Sequence, residues 1–353
     1  MSMQKNWKER RETGMEVVKS FKVSKTFSVF TLVLLAFLVL YFSSNPVDNI
    51  GKSWLWKTQY QLEREELGRV LKNASMDDRT IILTTLNKAW AEPGSMLDLL
   101  LESFRIGEGT SRLLNHLVIV AMDPTAFTRC KAIHPHCFYL TTPGIDFSED
   151  ERFMSENYLK LMWRRIDFLR IVLELGYNFV FTDADIMWFR DPFPYFDSVD
   201  EIHIACDFYK GNPRDKGNRA NGGFNYVKSV GATIEFYKYW YKARRLHKNQ
   251  HDQQVFEIIK HEPIVAATGL RIRYLDTKYF GGFCQASKDM NKVCTMHANC
   301  CVGIEKKVPD LKAILNDWKN FTALSPQEKE AKGSSSSASP WSAPNKCKAS
   351  WKH

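Results

Sequence analysis

Short apolar runs alternate with stretches of helical period along most of this chain. That alternation predicts a mostly parallel, doubly wound α/β sheet. Residues 80–87 read as a first strand and its exit loop, 96–104 as a helix, and 116–122 as a second strand ending at Asp123-Pro124. A short third strand is expected over 137–140. Residues 156–175 place Leu159, Met162, Ile166, Leu169 and Leu173 at helical spacing, and Gly176 supplies the stop. The central strand follows at once in Phe179-Val180-Phe181-Thr182 and runs into Asp183-Ala184-Asp185. Further strands are expected over 202–208, 221–227 and 271–275, with helices over 231–246 and 251–260. No internal repeat is present.

The ends of the chain follow a different pattern. Residues 26–42 form a run of 17 without a charge, preceded by Lys5, Lys8, Arg10, Arg11, Lys19, Lys22 and Lys25. This reads as a short membrane anchor with residues 1–25 cytoplasmic and the remainder across the membrane. A cleaved signal peptide, with Ser43 and Ser44 as small residues after it, is the alternative. Short spans sort towards thin early secretory membranes, so the expected location is the Golgi membrane, single-pass type II. Residues 43–78 read as a polar stem with a helical stretch over 60–72, and 79–325 as the catalytic domain. Residues 326–353 read as a low-complexity tail, disordered from Ala331 on.

Composition sharpens this only in part. With 353 residues, 44% of them hydrophobic, the chain can bury a core as one large α/β domain or two smaller ones. The net charge of +9 is concentrated at the ends and forms no basic stripe within the fold, which argues against nucleic acid as a partner. Eight cysteines beyond the anchor would meet an oxidising lumen, and Asn73 and Asn320 head glycan acceptor sequons. No CxxC pair occurs, so structural zinc is not expected. The one disulfide expected is Cys130 with Cys137.

The candidate chemistry centres on the aspartates. In a strand alternate side chains share a face, so Asp183 and Asp185 would point the same way and repel unless a cation lies between them. Such oxygen ligands suit Mn²⁺ or Mg²⁺ bound together with substrate phosphates. The carboxyl end of a buried strand is also where open α/β sheets bind ligands. His297 is the candidate third ligand. Gly303 and Lys306 follow it, and Lys306 or Lys307 would neutralise a phosphate or remain surface charge. Asn221 and Gly222 either meet the donor closely or form a plain turn. Asp252 either caps the helix that it opens or, with Gln253, faces sugar hydroxyls. Lys160, Arg164 and Arg165 either form a solvated face or send one cation to the donor phosphates, and Trp163 either stacks or packs. Thr84 and Asn87, at the end of the first strand, complete the donor candidates.

Taken together these stretches resemble the plant nucleotide-diphospho-sugar transferase family, which includes rhamnogalacturonan xylosyltransferases and extensin arabinosyltransferases. The resemblance rests on the helix from Trp163 to Gly176, the run from Phe181 to Pro192, Asn221-Gly222-Gly223-Phe224, Asp252-Gln253 and His297-Ala298-Asn299-Cys300-Cys301. It spans roughly residues 79–321. It implies a GT-A fold, a UDP-sugar donor, a glycan or glycoprotein acceptor in the cell wall, Mn²⁺ dependence and retention of anomeric configuration. It also implies Asp183 on the donor ribose or metal, Asp185 and His297 on the metal, and Asp252 and Gln253 as catalytic residues facing the transferred sugar. Gln253 would lie near the anomeric carbon. Retaining enzymes of that fold often end in His-x-x-Gly-x-x-Lys; here the gap from His297 to Gly303 is longer. Two other classes are weighed against this. A haloacid-dehalogenase-like phosphatase would want Thr or Val where Met187 stands, and a lumenal scaffold or lectin would not need Asp183, Asp185 and His297 intact.

Overall fold

The computed structural model describes residues 31–37, 40, 47–142, 144–145, 147–149, 151–334 and 339–351. Its seven-stranded sheet contains β1 (Thr80–Leu86), β2 (Leu117–Ala121), β3 (Cys137–Tyr139), β4 (Asn178–Thr182), β6 (Ile202–Phe208), β7 (Arg219–Val227) and β8 (Ile272–Tyr274). The spatial order is β3-β2-β1-β4-β7-β6-β8. All neighbours pair in parallel except around β7, which runs antiparallel to both β4 and β6. A short loop joins β6 to β7, and so short a connection permits antiparallel pairing where a parallel one needs a long crossover. The sheet is therefore mostly parallel, as the alternating pattern predicts.

Alternation along the strands divides the core between the two faces of the sheet. Phe179 and Phe181 of β4 join Phe138, Phe168, Tyr237 and Trp240 on one side. Val180 joins Phe104, Trp188, Phe189 and Trp318 on the other. The Glu156–Glu174 helix feeds β4: Ser155 Oγ accepts from the Tyr158 amide at 3.1 Å to start it, and Gly176 ends it in the left-handed region at φ +80°. Only glycine enters that region without strain.

A second, three-stranded sheet supplies the remaining frame. It contains β5 (Ile186–Trp188), β9 (Phe280–Gly282) and β10 (Thr295–His297), in the order β5-β10-β9. β10 pairs antiparallel to β5 with His297 opposite Ile186.

The ends depart from expectation in two ways. Two compact units divide the chain, Met1–Arg64 and Glu65–His353. The second begins inside the Val47–Ala74 helix: Leu67, Leu71 and Ala74 are buried with the main core, so folded structure starts before Arg79. At the other end, residues 339–351 are not a disordered tail. Trp341 stacks on Phe189 at 5.4 Å and donates to the Ser287 carbonyl, and Cys347 bonds to Cys301. A buried tryptophan and a cross-link outweigh the low-complexity composition beside them. The expected cytoplasmic tail over 1–25 and most of the expected anchor over 26–42 lie outside the described residues. Among the described residues no helix is long and apolar enough to cross a membrane.

Candidate active site

β4 delivers Thr182 to the sheet edge, and the chain then turns. Asp183 and Asp185 do not lie on one strand face: they flank a tight turn between β4 and β5, closed by the Ile186 amide on the Asp183 carbonyl at 3.2 Å. The turn is gripped from both sides. The Asp183 amide donates to the Gly223 carbonyl at 2.7 Å, and the Ala298 amide donates to the Asp185 carbonyl at 3.0 Å. The β10–β5 register thereby carries His297 to the aspartates. One ligand atom from each of Asp183, Asp185 and His297 lies within 4.8 Å of the others. His297 Nε2 is 3.2 Å from Asp185 Oδ1 and 3.9 Å from Asp183 Oδ2.

The other oxygen of each carboxylate is committed to a protein cation. Arg165 Nη1 lies 2.8 Å from Asp183 Oδ1, and Lys307 Nζ lies 2.5 Å from Asp185 Oδ2. This leaves Asp183 Oδ2, Asp185 Oδ1 and His297 Nε2 converging. Two carboxylate oxygens and an imidazole nitrogen are a donor set that fits a divalent ion such as Mn²⁺ or Mg²⁺. Gly223 keeps the approach clear, since a Cβ there would stand 2.4 Å from Asp183 Oδ2 and 2.7 Å from His297 Cε1. Electrostatics separate the two aspartates. Burial pushes the Asp183 carboxyl up, with Asp185 adding to it against the pull of Arg165. Burial also opposes ionisation of Asp185, but Lys307 and His297 hold it well below the usual carboxylate range. Burial would lower His297, yet Asp185 raises it above the usual imidazole value.

The cluster opens into a cavity of about 810 Å³. Asn87, Gly303 and Lys307 line it, as do Asn221, Gly223, Asp252 and Gln253. Arg165 bridges two carboxylates, reaching Asp183 with one nitrogen and Asp252 Oδ2 with another at 2.6 Å, while its Nε is buried without a hydrogen bond. Asp252 is not the cap of its helix: His251 holds that position in Asp252–Ile259, and Asp252 is the first helical residue. Burial would raise its pKa, but Arg165 and His251 pull it down to about 2. Asp252 is thus a paired carboxylate that holds Arg165 in place.

A polar hub that the sequence reading missed is Asp207, at the end of β6. Its carboxylate accepts from Asn221 Nδ2 at 2.8 Å, Asn299 Nδ2 at 2.8 Å and Gln253 Nε2 at 2.9 Å. Each amide oxygen takes a backbone amide in return: Gly223 on Asn221, Cys284 on Asn299 and Gly222 on Gln253. The hub fixes three amides at the cavity wall, and among the described residues no cation pairs with it. Its signal was available, since Asp207 also ends a strand at a sheet edge where ligands bind.

Other candidates lie away from the cluster or are already engaged. Lys160 pairs with Glu156 at 2.6 Å and does not line the cavity. Thr84 is buried inside β1 with its hydroxyl unpaired, and neighbouring Thr85 faces the cavity instead. Asn87 is occupied at its helix start, accepting from the Trp90 amide and donating to the Glu149 carbonyl. Lys306 pairs with Glu305 at 3.8 Å; the next lysine, Lys307, is the one that reaches the cluster, one helical position further round the Ile304–Thr322 helix. Arg164 binds the Thr141 carbonyl, and Trp163 is buried with its indole on the Gln250 carbonyl. Asn73 and Asn320 are both exposed. The expected Cys130–Cys137 disulfide is present, with Cys284–Cys300 and Cys301–Cys347 beside it. A second carboxylate–imidazole group, Asp197, Asp200 and His203, does not line the cavity, and Arg273 and Arg214 neutralise its carboxylates.

Residues 112–311 match the profile of nucleotide-diphospho-sugar transferases, and the chain belongs to that family of glycosyltransferases. An uncharacterized protein of Arabidopsis thaliana is 47% identical over 295 residues, 83% of this chain and 77% of that protein. UDP-D-xylose:L-fucose alpha-1,3-D-xylosyltransferase 3 of the same plant is 23% identical over 217 residues, 54% of this chain and 56% of its own. Among solved structures, mouse xyloside xylosyltransferase 1 in its apo form covers 63% of this chain and 98% of its own. Its identity is 15% and its TM-score 0.39, a likeness too slight to bear on the fold.

Proposed function

We propose that this chain transfers a sugar, a pentose or galactose, from a UDP-sugar to a polysaccharide or glycoprotein acceptor of the plant cell wall. The observation that carries the reading is the convergence of Asp183 Oδ2, Asp185 Oδ1 and His297 Nε2 at the floor of a cavity walled by three fixed amides. Mn²⁺, or Mg²⁺, held there would offset charge on the departing diphosphate. The chain's own residues do the positioning. Lys307 and the amino end of the Ile304–Thr322 helix both face the cavity, a favourable setting for phosphate. Asp207 orients Gln253 and Asn221, which present amide groups of the kind that sugar hydroxyls require. Arg165 holds Asp183 and Asp252 apart and in register. No side chain is assigned as general base, which accords with a retaining reaction driven by positioning and charge stabilisation in a GT-A fold. A named xylosyltransferase among the relatives favours a pentose. Three disulfides and the exposure of Asn73 and Asn320 support a Golgi lumenal domain behind a membrane anchor.

The test is UDP release from a panel of UDP-sugars by the segment from Ser43 onward, with and without Mn²⁺. Slow, metal-dependent hydrolysis of one donor, lost in Asp183→Ala, is expected. Metal-independent release, or release unaffected by Asp183→Ala, would refute the assignment.

A further inference from the structure

Phe153 lines the cavity and yet remains 46% exposed. It is not a loose surface ring. Its ring packs edge-on against Tyr158 at 5.2 Å and 63°, and against His251 at 5.7 Å and 62°. The backbone presents it firmly. The Ser155 amide closes a turn onto the Arg152 carbonyl, Met154 stands at φ +68°, and Ser155 then caps the Glu156–Glu174 helix. Left-handed φ is uncommon for a non-glycine residue, and the turn and the helix cap on either side hold Met154 there. Polar groups flank the ring, since Glu151 and Arg152 also line the cavity.

The ring's neighbours place it at one part of the cavity. The last residue of the aromatic trio, His251, immediately precedes Asp252 and Gln253, and Gln253 is bound to Asp207. This is the end of the cavity proposed above for the transferred sugar. Asn87 and Trp90, which follow β1, line the same cavity. A ring placed beside the transferred sugar meets whatever group attacks it. Sugars offer an apolar C–H face with hydroxyls around the rim, and an aromatic face bordered by polar groups complements that pattern.

We propose that Phe153, backed by Tyr158 and His251, is a platform for the C–H face of the acceptor sugar ring. The proposal rests on the transferase reading for the identity of its ligand. The test uses the full chain in detergent with UDP and Mn²⁺ added. Saturation-transfer NMR with methyl glycosides of xylose, fucose, arabinose and galactose measures acceptor-side binding, and calorimetry measures UDP affinity. The unmodified chain is expected to bind at least one glycoside. Phe153→Ala should weaken it about tenfold, or about 1.4 kcal/mol, and Phe153→Trp should retain it. If Phe153→Ala fails to fold, Phe153→Leu keeps the apolar bulk without the ring and gives the same comparison. Undiminished glycoside binding in the ring-less variant, or no glycoside bound by the unmodified chain, would overturn the platform. Loss of UDP affinity with glycoside binding intact would overturn it too, by assigning the ring to the nucleobase. UDP release from nucleotide sugars, measured separately, distinguishes failure of the transferase reading from failure of the platform.

Discussion

Two adjacent glycines on β7 should respond in opposite ways to the same added methyl. At Gly223 a Cβ would meet Asp183 Oδ2 at 2.4 Å, His297 Cε1 at 2.7 Å and Asn221 Oδ1 at 2.9 Å. At Gly222 the nearest atom is Asp252 Oδ2 at 3.7 Å, an ordinary contact. Neither glycine has a positive φ, so backbone strain does not enter. Relief at Gly223 requires the Asp183 carboxylate to retreat by roughly 1 Å, several times the ±0.2 Å tolerance of a metal–ligand distance. It cannot do so freely, because its other oxygen is held by Arg165 at 2.8 Å and its amide by the Gly223 carbonyl at 2.7 Å. Gly223→Ala should therefore weaken Mn²⁺ binding by roughly 100-fold, or about 2.7 kcal/mol. Overpacking should cost about 1–3 kcal/mol of stability. Gly222→Ala should change stability by less than about 0.5 kcal/mol, or improve it slightly, since alanine loses less backbone freedom than glycine. Calorimetric Mn²⁺ titration and the thermal midpoint of the metal-free protein read both quantities. Equal Mn²⁺ affinity in Gly223→Ala and the unmodified chain would show that the three ligand atoms do not act as one site, and would refute the reasoning.

Lys307→Met removes the ammonium from Asp185 and should leave divalent-ion affinity equal or higher while lowering UDP affinity at least tenfold; a drop in metal affinity like that of Asp185→Ala would contradict this. Cys347→Ser releases a loop of 46 residues and should cost about 4 kcal/mol by the chain-entropy relation. A loss below about 1 kcal/mol in urea unfolding would mean that the carboxyl-terminal segment is held by packing alone. Burial brings His203 down to about 4 from its usual 6.5, only partly opposed by Asp197 and Asp200. The unfolded chain then binds the extra proton between those values, so stability should fall by about 3 kcal/mol as pH drops from 6.5 to 4. His203→Gln should flatten that part of the acid limb, and an unchanged slope would assign it to other groups.

The local pattern was enough for much of the fold. Helix and strand periods placed nearly every element of the main sheet, because each strand and helix buries a face that its own sequence declares. The reversal of β7 was not legible, since direction is set by the connection and by pairing partners rather than by strand composition. Likewise, Ser and Ala around residue 335 concealed a docked segment whose order comes from two later residues, Trp341 and Cys347.

At the site the division is sharper. The sequence by itself determined the residue types of the candidate metal group, the cluster of amides and glycines that could approach a donor, and one disulfide between near neighbours. The tertiary structure alone decided how these meet. It placed the aspartates on a turn rather than a strand face, chose Lys307 over Lys306 across 122 residues from Asp185, and left Lys160 outside. It also made Asp207 the hub of three amides drawn from different segments. The physical reason is one of range: backbone periodicity is encoded over a few residues, whereas the register of β10 on β5 and of β7 on β4 fixes which distant side chains come within bonding distance.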